Sequence, residues 1–302
     1  MIRIIQNRKI NYTISAILAI VSIVSLVMWG LKLGLDFTGG SLTEINFSNS
    51  RPANNEISSQ LADLNLGDLK VQTADVKGII MRFKAVDEET HQKIIKELKD
   101  KNQGQDVKEL RFESVGPVIG EELKSKAWLA IILASLAIIL YIAYAFRKVS
   151  KPVVSWKYGI AAIVALLHDI LIVTGLFSLL GHFLGIEVDS LFITALLTVL
   201  GFSVHDTIVV FDRTRENLSK HYSGSFEDVV NDSVNQTISR SINTSVTTLL
   251  ALLALYFFGG DSTRYFVLAL IAGIVVGTYS SIFVASPIVV DWNRFDKRLK
   301  GK

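Results

Sequence analysis

A membrane all-α bundle of six transmembrane helices carrying an α+β extracytoplasmic domain is the fold class the sequence predicts, and three observations predict it. Half of the 302 residues are hydrophobic. Apolar stretches of about 20 residues, the length a helix rising 1.5 Å per residue needs to cross roughly 30 Å of hydrocarbon, recur six times. A single long polar segment, residues 32–126, interrupts them. Core helices of globular proteins are shorter and amphipathic, so a soluble two-domain chain does not fit.

The first span is expected at residues 11–31. Arg3, Arg8 and Lys9 give it the basic start of a signal peptide, but no A-x-A-like site follows, and Trp29 and Lys32 resemble interface anchors. It reads as an uncleaved anchor, with residues 1–31 forming an N-terminus and first helix.

The segment 32–126 is too long and too charged for a connecting loop. "SLTEINF" (41–47) alternates like a half-buried strand, and 53–65 has helical apolar spacing. "DLKVQTA" and "GIIMRFKA" read as strands, 87–101 as a charged amphipathic helix and 107–115 as a last strand. The order βαββαβ is that of ferredoxin-like folds. Gly39 and Gly40, with Gly116 and Pro117, mark its edges. The Gly39-Gly40 pair is either a hinge or an ordinary turn needing positive φ.

The remaining spans are expected at 127–146, 158–181, 190–211, 238–258 and 265–290, a five-helix remainder followed by a basic tail, 291–302. Between the fourth and fifth, Phe226, Val229, Val230, Val234 and Ile238 recur at helical spacing, so 212–237 should hold an amphipathic helix that lies at the membrane surface and bends into the fifth span. In the last span Ala269, Gly273, Gly277, Ser281 and Ala285 repeat every four residues, a small-residue strip that lets another helix approach closely. Whether that helix belongs to this chain is open at this level.

Charge distribution sets topology. Arg147, Lys148, Lys151 and Lys157 separate spans two and three; Arg213, Arg215 and Lys220 follow span four; Arg294, Lys297, Arg298, Lys300 and Lys302 close the chain. The loops 181–189 and 259–264 hold only Arg264. Both termini are therefore expected in the cytoplasm and the large domain on the outer face of the cytoplasmic (inner) membrane. The net charge of +3 is spent on topology, which argues against nucleic acid as a partner.

Without cysteine there is no disulfide or thiolate chemistry, and no phosphate loop, H-E-x-x-H or G-x-S-x-G is present. No enzyme activity, cofactor or metal site is expected. His91, His182 and His221 are scattered and read as surface or loop residues. What remains is inside the membrane, where a charge at a helix centre costs about 2.5 to 3.5 kcal/mol. His168-Asp169 sits near the middle of span three, His205-Asp206 near the cytoplasmic end of span four, and Arg240 early in span five. Asp206 and Arg240, at similar depth on successive spans, are natural partners. Burial favours a neutral acid and a guanidinium favours a carboxylate, so a small movement of Arg240 could load or unload a proton on Asp206, with His205, His168 and Asp169 as relay groups. The alternative is a static ion pair, with His168 in a satisfied network. His205 and Asp206 point about 100° apart; His205 aligns with Thr194, Thr198 and Gly201, and Asp206 falls nearer Val199 and Ser203.

"LGLDFTGG", "ALLHD", "GFSVHDTIVVFDRTREN", "VNQTISRSINTS" and "ALYFFGG" together resemble the SecF family, the smaller half of the SecD-SecF protein-export pair, itself similar to half of a resistance-nodulation-division transporter. The resemblance implies an accessory role in Sec-dependent protein transport powered by the proton-motive force. It implies SecD, the SecYEG translocase with YajC and YidC, unfolded polypeptide and membrane lipids as partners. Carried over by position, it gives Asp206 and Arg240 the proton pathway and Gly39-Gly40 the family's Gly-Gly motif. The family commonly has Asn where this chain has His205. A small-molecule or lipid exporter half and a passive translocase scaffold are the competing readings.

Overall fold

The structure, a computed structural model, describes residues 2–74, 76–102, 105–145, 153–219 and 224–300. Arg147, Lys148, Lys151, Lys220, His221 and Lys302 lie outside the described residues. In chain order the elements are α1 (Arg8–Met28), α2 (Leu35–Thr38), β1 (Gly40–Phe47), α3 (Asn54–Gln60), β2 (Lys70–Thr73), β3 (Gly78–Phe83), α4 (Glu88–Lys101), β4 (Val107–Val115) and α5 (Pro117–Ala145). Then come α6 (Ser155–Leu184), α7 (Ser190–Ser219), α8 (Phe226–Phe258), α9 (Asp261–Ser280), a π turn (Ser281–Ala285) and α10 (Ser286–Lys300). The chain divides into two compact units, Leu33–Trp128 and the remainder, Met1–Lys32 with Leu129–Lys302.

In the unit Leu33–Trp128 the four strands form one sheet in the order β2-β3-β1-β4, every neighbouring pair antiparallel. Alternation decides its faces: Ile45 and Phe47 of β1 and Ile79, Met81 and Phe83 of β3 are buried with Ile57 and Leu61 beside α3 and Ile94 and Leu98 of α4. Each large apolar side chain removed from water contributes about 1.5 to 3 kcal/mol, which gives this unit a core of its own. A bulge between Glu44 and Ile45 shifts the register against β4. The helix expected over 53–65 is shorter, α3 giving way to a 3-10 turn at Ala62–Leu64 and ending at Asn65, whose φ is 48°. His91 is not a surface residue. It is buried, stacked 3.6 Å from Phe112 and bonded to Glu109 at 2.7 Å and Glu88 at 3.2 Å.

Among the described residues, six helical stretches are long and apolar enough to cross a membrane: α1, α5, α6, α7, α8 and the run from α9 through α10. All six reach past their expected bounds at one or both ends, because helices continue into charged turns that no apolar run marks. At 212–237, α7 runs on through Ser219, and α8 begins at Phe226 and continues without a break into the fifth span, opened by a reciprocal cap between Ser225 and Asp228. Phe226, Val230 and Val234 are buried in the bundle core with Ile4 and Ile5, and Val229 is buried as well. The backbone amides of Ile4 and Ile5 donate to Asn231 Oδ1 at 3.0 and 3.3 Å, which fixes the N-terminal segment onto α8.

Small residues set the helix spacing. On α6, a Cβ at Gly175 would lie 2.2 Å from Ser22 Cβ of α1, and Ser25 bonds Ser178 at 2.8 Å. Arg8 pairs with Glu227 and Asp291, and Lys157, buried between Trp156 and Trp292, pairs with Asp296. Both basic residues, expected as solvated topology markers, thus also hold helix ends together. By contrast α5 and the C-terminal half of α8 present mostly exposed apolar side chains, among them Leu133, Leu140, Val246, Leu250 and Phe257.

Candidate functional site

The intramembrane ionisable residues fall into two settings. Asp169, at the midpoint of α6, is 1 % exposed and fully engaged. Its Oδ2 accepts from Ser203 Oγ of α7 at 2.6 Å and Ser280 Oγ of α9 at 2.8 Å, and its Oδ1 lies 3.0 Å from His168 Nδ1. One carboxyl group thereby joins three helices. His168 is largely buried, and its Nε2 has no hydrogen-bond partner among the described residues.

Asp206, one turn beyond Ser203 on α7, is 4 % exposed. Ser241 of α8 faces its carboxyl group, yet Asp206 Oδ2 and Ser241 Oγ are both buried without a hydrogen bond of acceptable geometry. Arg240 and His205 act on the Asp206 carboxylate electrostatically, but both side chains are exposed at the bundle surface. The expected close ion pair is absent: no Asp206–Arg240 contact within 4.0 Å occurs among the described residues. The cause is helical phase, since Ser241 occupies the inward face of α8 and its neighbour Arg240 is turned about 100° away. The same divergence separates buried Asp206 from His205, which shares an exposed stripe with Thr194, Thr198 and Gly201.

The small-residue strip packs against α7 of the same chain. A Cβ on Gly273 would lie 2.1 Å from Val199 Cγ2, and one on Gly277 2.9 Å from Ser203 Cβ. Ala269 and Ala285 are fully buried, and Ser281 Oγ lies 2.8 Å from Thr207 Oγ1 and 3.2 Å from Ser203 O. The strip is thus what brings Ser280 to Asp169. Over the last residues of the strip, Ser281–Ala285, the helix widens into the π turn, where Ser286 Oγ donates to Ser281 O at 2.9 Å. Such turns concentrate at functional positions. Ser280, Ser241 and Thr207 were not singled out by sequence reasoning, and Ser203 was placed only on the side of α7 near Asp206, not beside Asp169. A hydroxyl within an apolar helix carries little signal until a carboxyl group is placed beside it.

Gly39 and Gly40, in the other unit, both have positive φ, 68° and 117°. Neither has room for a side chain: a Cβ would lie 2.9 Å from Pro117 Cα at Gly39 and 2.9 Å from Phe83 O at Gly40. Among the described residues no cluster of three His, Cys, Asp or Glu side chains suited to a metal is present.

Six apolar helices enclosing paired serines and carboxylates, together with a separate α+β unit, define a multi-pass membrane protein with an ionisable core. The family described as protein export membrane protein SecD/SecF, C-terminal, matches residues 94–295, and the SecD/SecF GG motif matches residues 24–50. The protein translocase subunit SecF of Thermobaculum terrenum is 48 % identical over 98 % of this chain and 95 % of its own. That of Anaerolinea thermophila is 42 % identical over 97 % of this chain and 94 % of its own. The crystal structure of SecDF, a translocon-associated membrane protein from Thermus thermophilus, matches with a TM-score of 0.79 at 32 % identity, covering 96 % of this chain. This chain spans 38 % of that SecDF chain. The chain belongs to the SecD/SecF family of protein-export membrane proteins, on its SecF side.

Proposed function

We propose that the chain is the SecF-type accessory subunit of the Sec translocase, which with a SecD partner uses the proton gradient to drive late translocation of unfolded polypeptide. SecYEG, with YajC and YidC, would be the surrounding machinery. Both termini would lie in the cytoplasm, and the unit Leu33–Trp128 would lie on the outer face as a ferredoxin-like domain. The βαββαβ order and the all-antiparallel sheet order β2-β3-β1-β4 support that fold.

The observation that carries the coupling is the state of Asp206. A buried carboxyl oxygen without a hydrogen bond is costly, which supports the reading of Asp206 as the group whose ionisation would change during work. Arg240 and His205, exposed beside it, supply a fixed positive charge and a titratable neighbour on the route to Asp206. Asp169 differs: with its oxygens bonded to Ser203, Ser280 and His168, it acts chiefly as a packing post between α6, α7 and α9. Each proton that crosses contributes about 2.3 kcal/mol per 100 mV, enough to bias a conformational equilibrium. The test is Asp206→Asn, co-expressed with the partner and reconstituted with the translocase in vesicles. Gradient-dependent export should be abolished while assembly is retained; a stably assembled Asp206→Asn complex exporting at the normal gradient-driven rate refutes the coupling.

A further inference from the structure

The Gly39-Gly40 pair meets the chain that leaves the same unit. β1 and β4 run side by side to the pair Gly40 and Val115, after which the departing chain turns at Gly116-Pro117 into α5. At that crossing the backbones touch: the nearest atoms to a Cβ on Gly39 are Pro117 Cα at 2.9 Å, Pro117 N at 3.2 Å and Val115 O at 3.4 Å. The contact is reciprocal one turn later. Gly120, buried in the first turns of α5, would place a Cβ 3.1 Å from Gly39 N, 3.4 Å from Asp36 O and 3.4 Å from Phe37 C. The arriving chain is itself braced, because Gly34 O accepts from Phe37 N and Thr38 N, and Gly39 N donates to Leu35 O at 2.9 Å. A free hinge would show glycines in open space. Gly30 is such a case, with φ 66° and nothing within 4 Å of its Cβ position.

We propose that Gly39 and Gly120 are positioning residues that lock the two chain connections of the Leu33–Trp128 unit, residues 34–40 and 115–120, to each other in one rigid joint, so that the chain does not pivot at the Gly-Gly pair. Backbone contact allows this because only glycine lets main chain approach main chain so closely. The role of the joint in transmitting force rests on the proton-coupled reading above; its existence does not.

The experiment compares three variants of the full chain with its partner. Gly120→Ala adds a methyl group at the contact in a helical position, so backbone strain does not enter. Glu121→Val alters the neighbouring exposed helical residue, and Gly30→Ala introduces positive-φ strain in open space. Hydrogen exchange on the resting complex should show amides 118–124 of Gly120→Ala opening roughly tenfold faster, with β3 and α4 unchanged, since exchange resolves local from global opening. Gradient-driven export should fall about 2- to 30-fold, the range for residues between coupled sites, while export without a gradient is unaltered. Both control variants should match the parent protein. Unchanged exchange at 118–124, faster exchange throughout β3 and α4, or an equal export loss in Gly30→Ala would each overturn the joint. Because exchange is read at rest, a failed Asp206→Asn test removes the coupling and leaves the joint standing.

Discussion

Asp169 and Asp206 lie on adjacent helices of one bundle, and the neighbours of each carboxyl group separate their roles. Asp169 has a donor for each oxygen, whereas Asp206 Oδ2 has none. In the other unit, Asp87 is an exposed counterpart whose ionisation has a readable consequence. It caps α4 by accepting from Thr90 N at 3.0 Å, and this bond holds its pKa below the ordinary carboxylate value. Glu88 is shifted the same way by Gln92 and then His91. A depressed folded-state pKa contributes stability that is present above the unfolded value of about 3.9 to 4.3 and lost as pH falls through the folded value. Protection of the amides in the first turn of α4, taken relative to the intrinsic exchange rate at each pH, should therefore fall as the pH is lowered below about 4. Asp87→Asn, which keeps an acceptor, should flatten that dependence, and an unchanged profile would show that the cap carries no pH sensitivity. The ionisable residues of the spans were legible in the sequence because lipid makes them expensive and therefore rare. Ser203, Ser280 and the burial of His91 were not, since each depends on a partner far away in the chain.

The helices were legible as elements, but their ends and facing surfaces were not. Apolar run length locates a span, while α7 and α8 continue into charged turns whose burial depends on tertiary packing against Ile4 and Ile5. The small-residue strip announced a close approach without naming its partner; the structure supplies Val199 and Ser203 of α7. This makes a quantitative expectation possible. Ala in place of Gly gains about 1 kcal/mol of helix propensity, so Gly201→Ala, with nothing within 4 Å of its Cβ, should be neutral or slightly stabilising. At Gly273 the same methyl would sit 2.1 and 2.7 Å from the two Val199 methyl carbons, and stiff valine cannot turn both away. Overpacking costs about 1 to 3 kcal/mol, which exceeds the propensity gain in most of that range. Thermal unfolding in detergent should rank Gly273→Ala below the parent protein, with Val199→Ala restoring part of the loss in the double variant. Equal melting of Gly273→Ala and Gly201→Ala would show that the helices separate freely at this crossing.

As a whole the bundle is incomplete on one side. Arg240, Asn243, Thr244 and Thr247 of α8 and Thr194, Thr198 and His205 of α7 are exposed along segments long and apolar enough to span the membrane. Scattered hydroxyls can bond their own helix, as Thr194, Thr198 and Thr247 do to carbonyls four residues back. An exposed guanidinium within a span has no such recourse, and facing lipid costs it about 2.5 to 3.5 kcal/mol. A second polypeptide covering this side, the SecD partner in the proposed assembly, would remove that cost and give Arg240 a polar surface to meet. The expectation has two parts that pull in opposite directions. For the chain expressed alone, Arg240→Leu should raise resistance to thermal unfolding and proteolysis, because the exposed charge is gone. For the chain expressed with its partner, the same substitution should weaken co-purification and abolish gradient-driven export, because a contact and a proton-steering charge are lost together. A merely structural arginine bound within this chain would give the reverse of the first result, with Arg240→Leu less stable alone. Measuring both preparations side by side therefore tells whether the charge serves this chain or the interface it awaits.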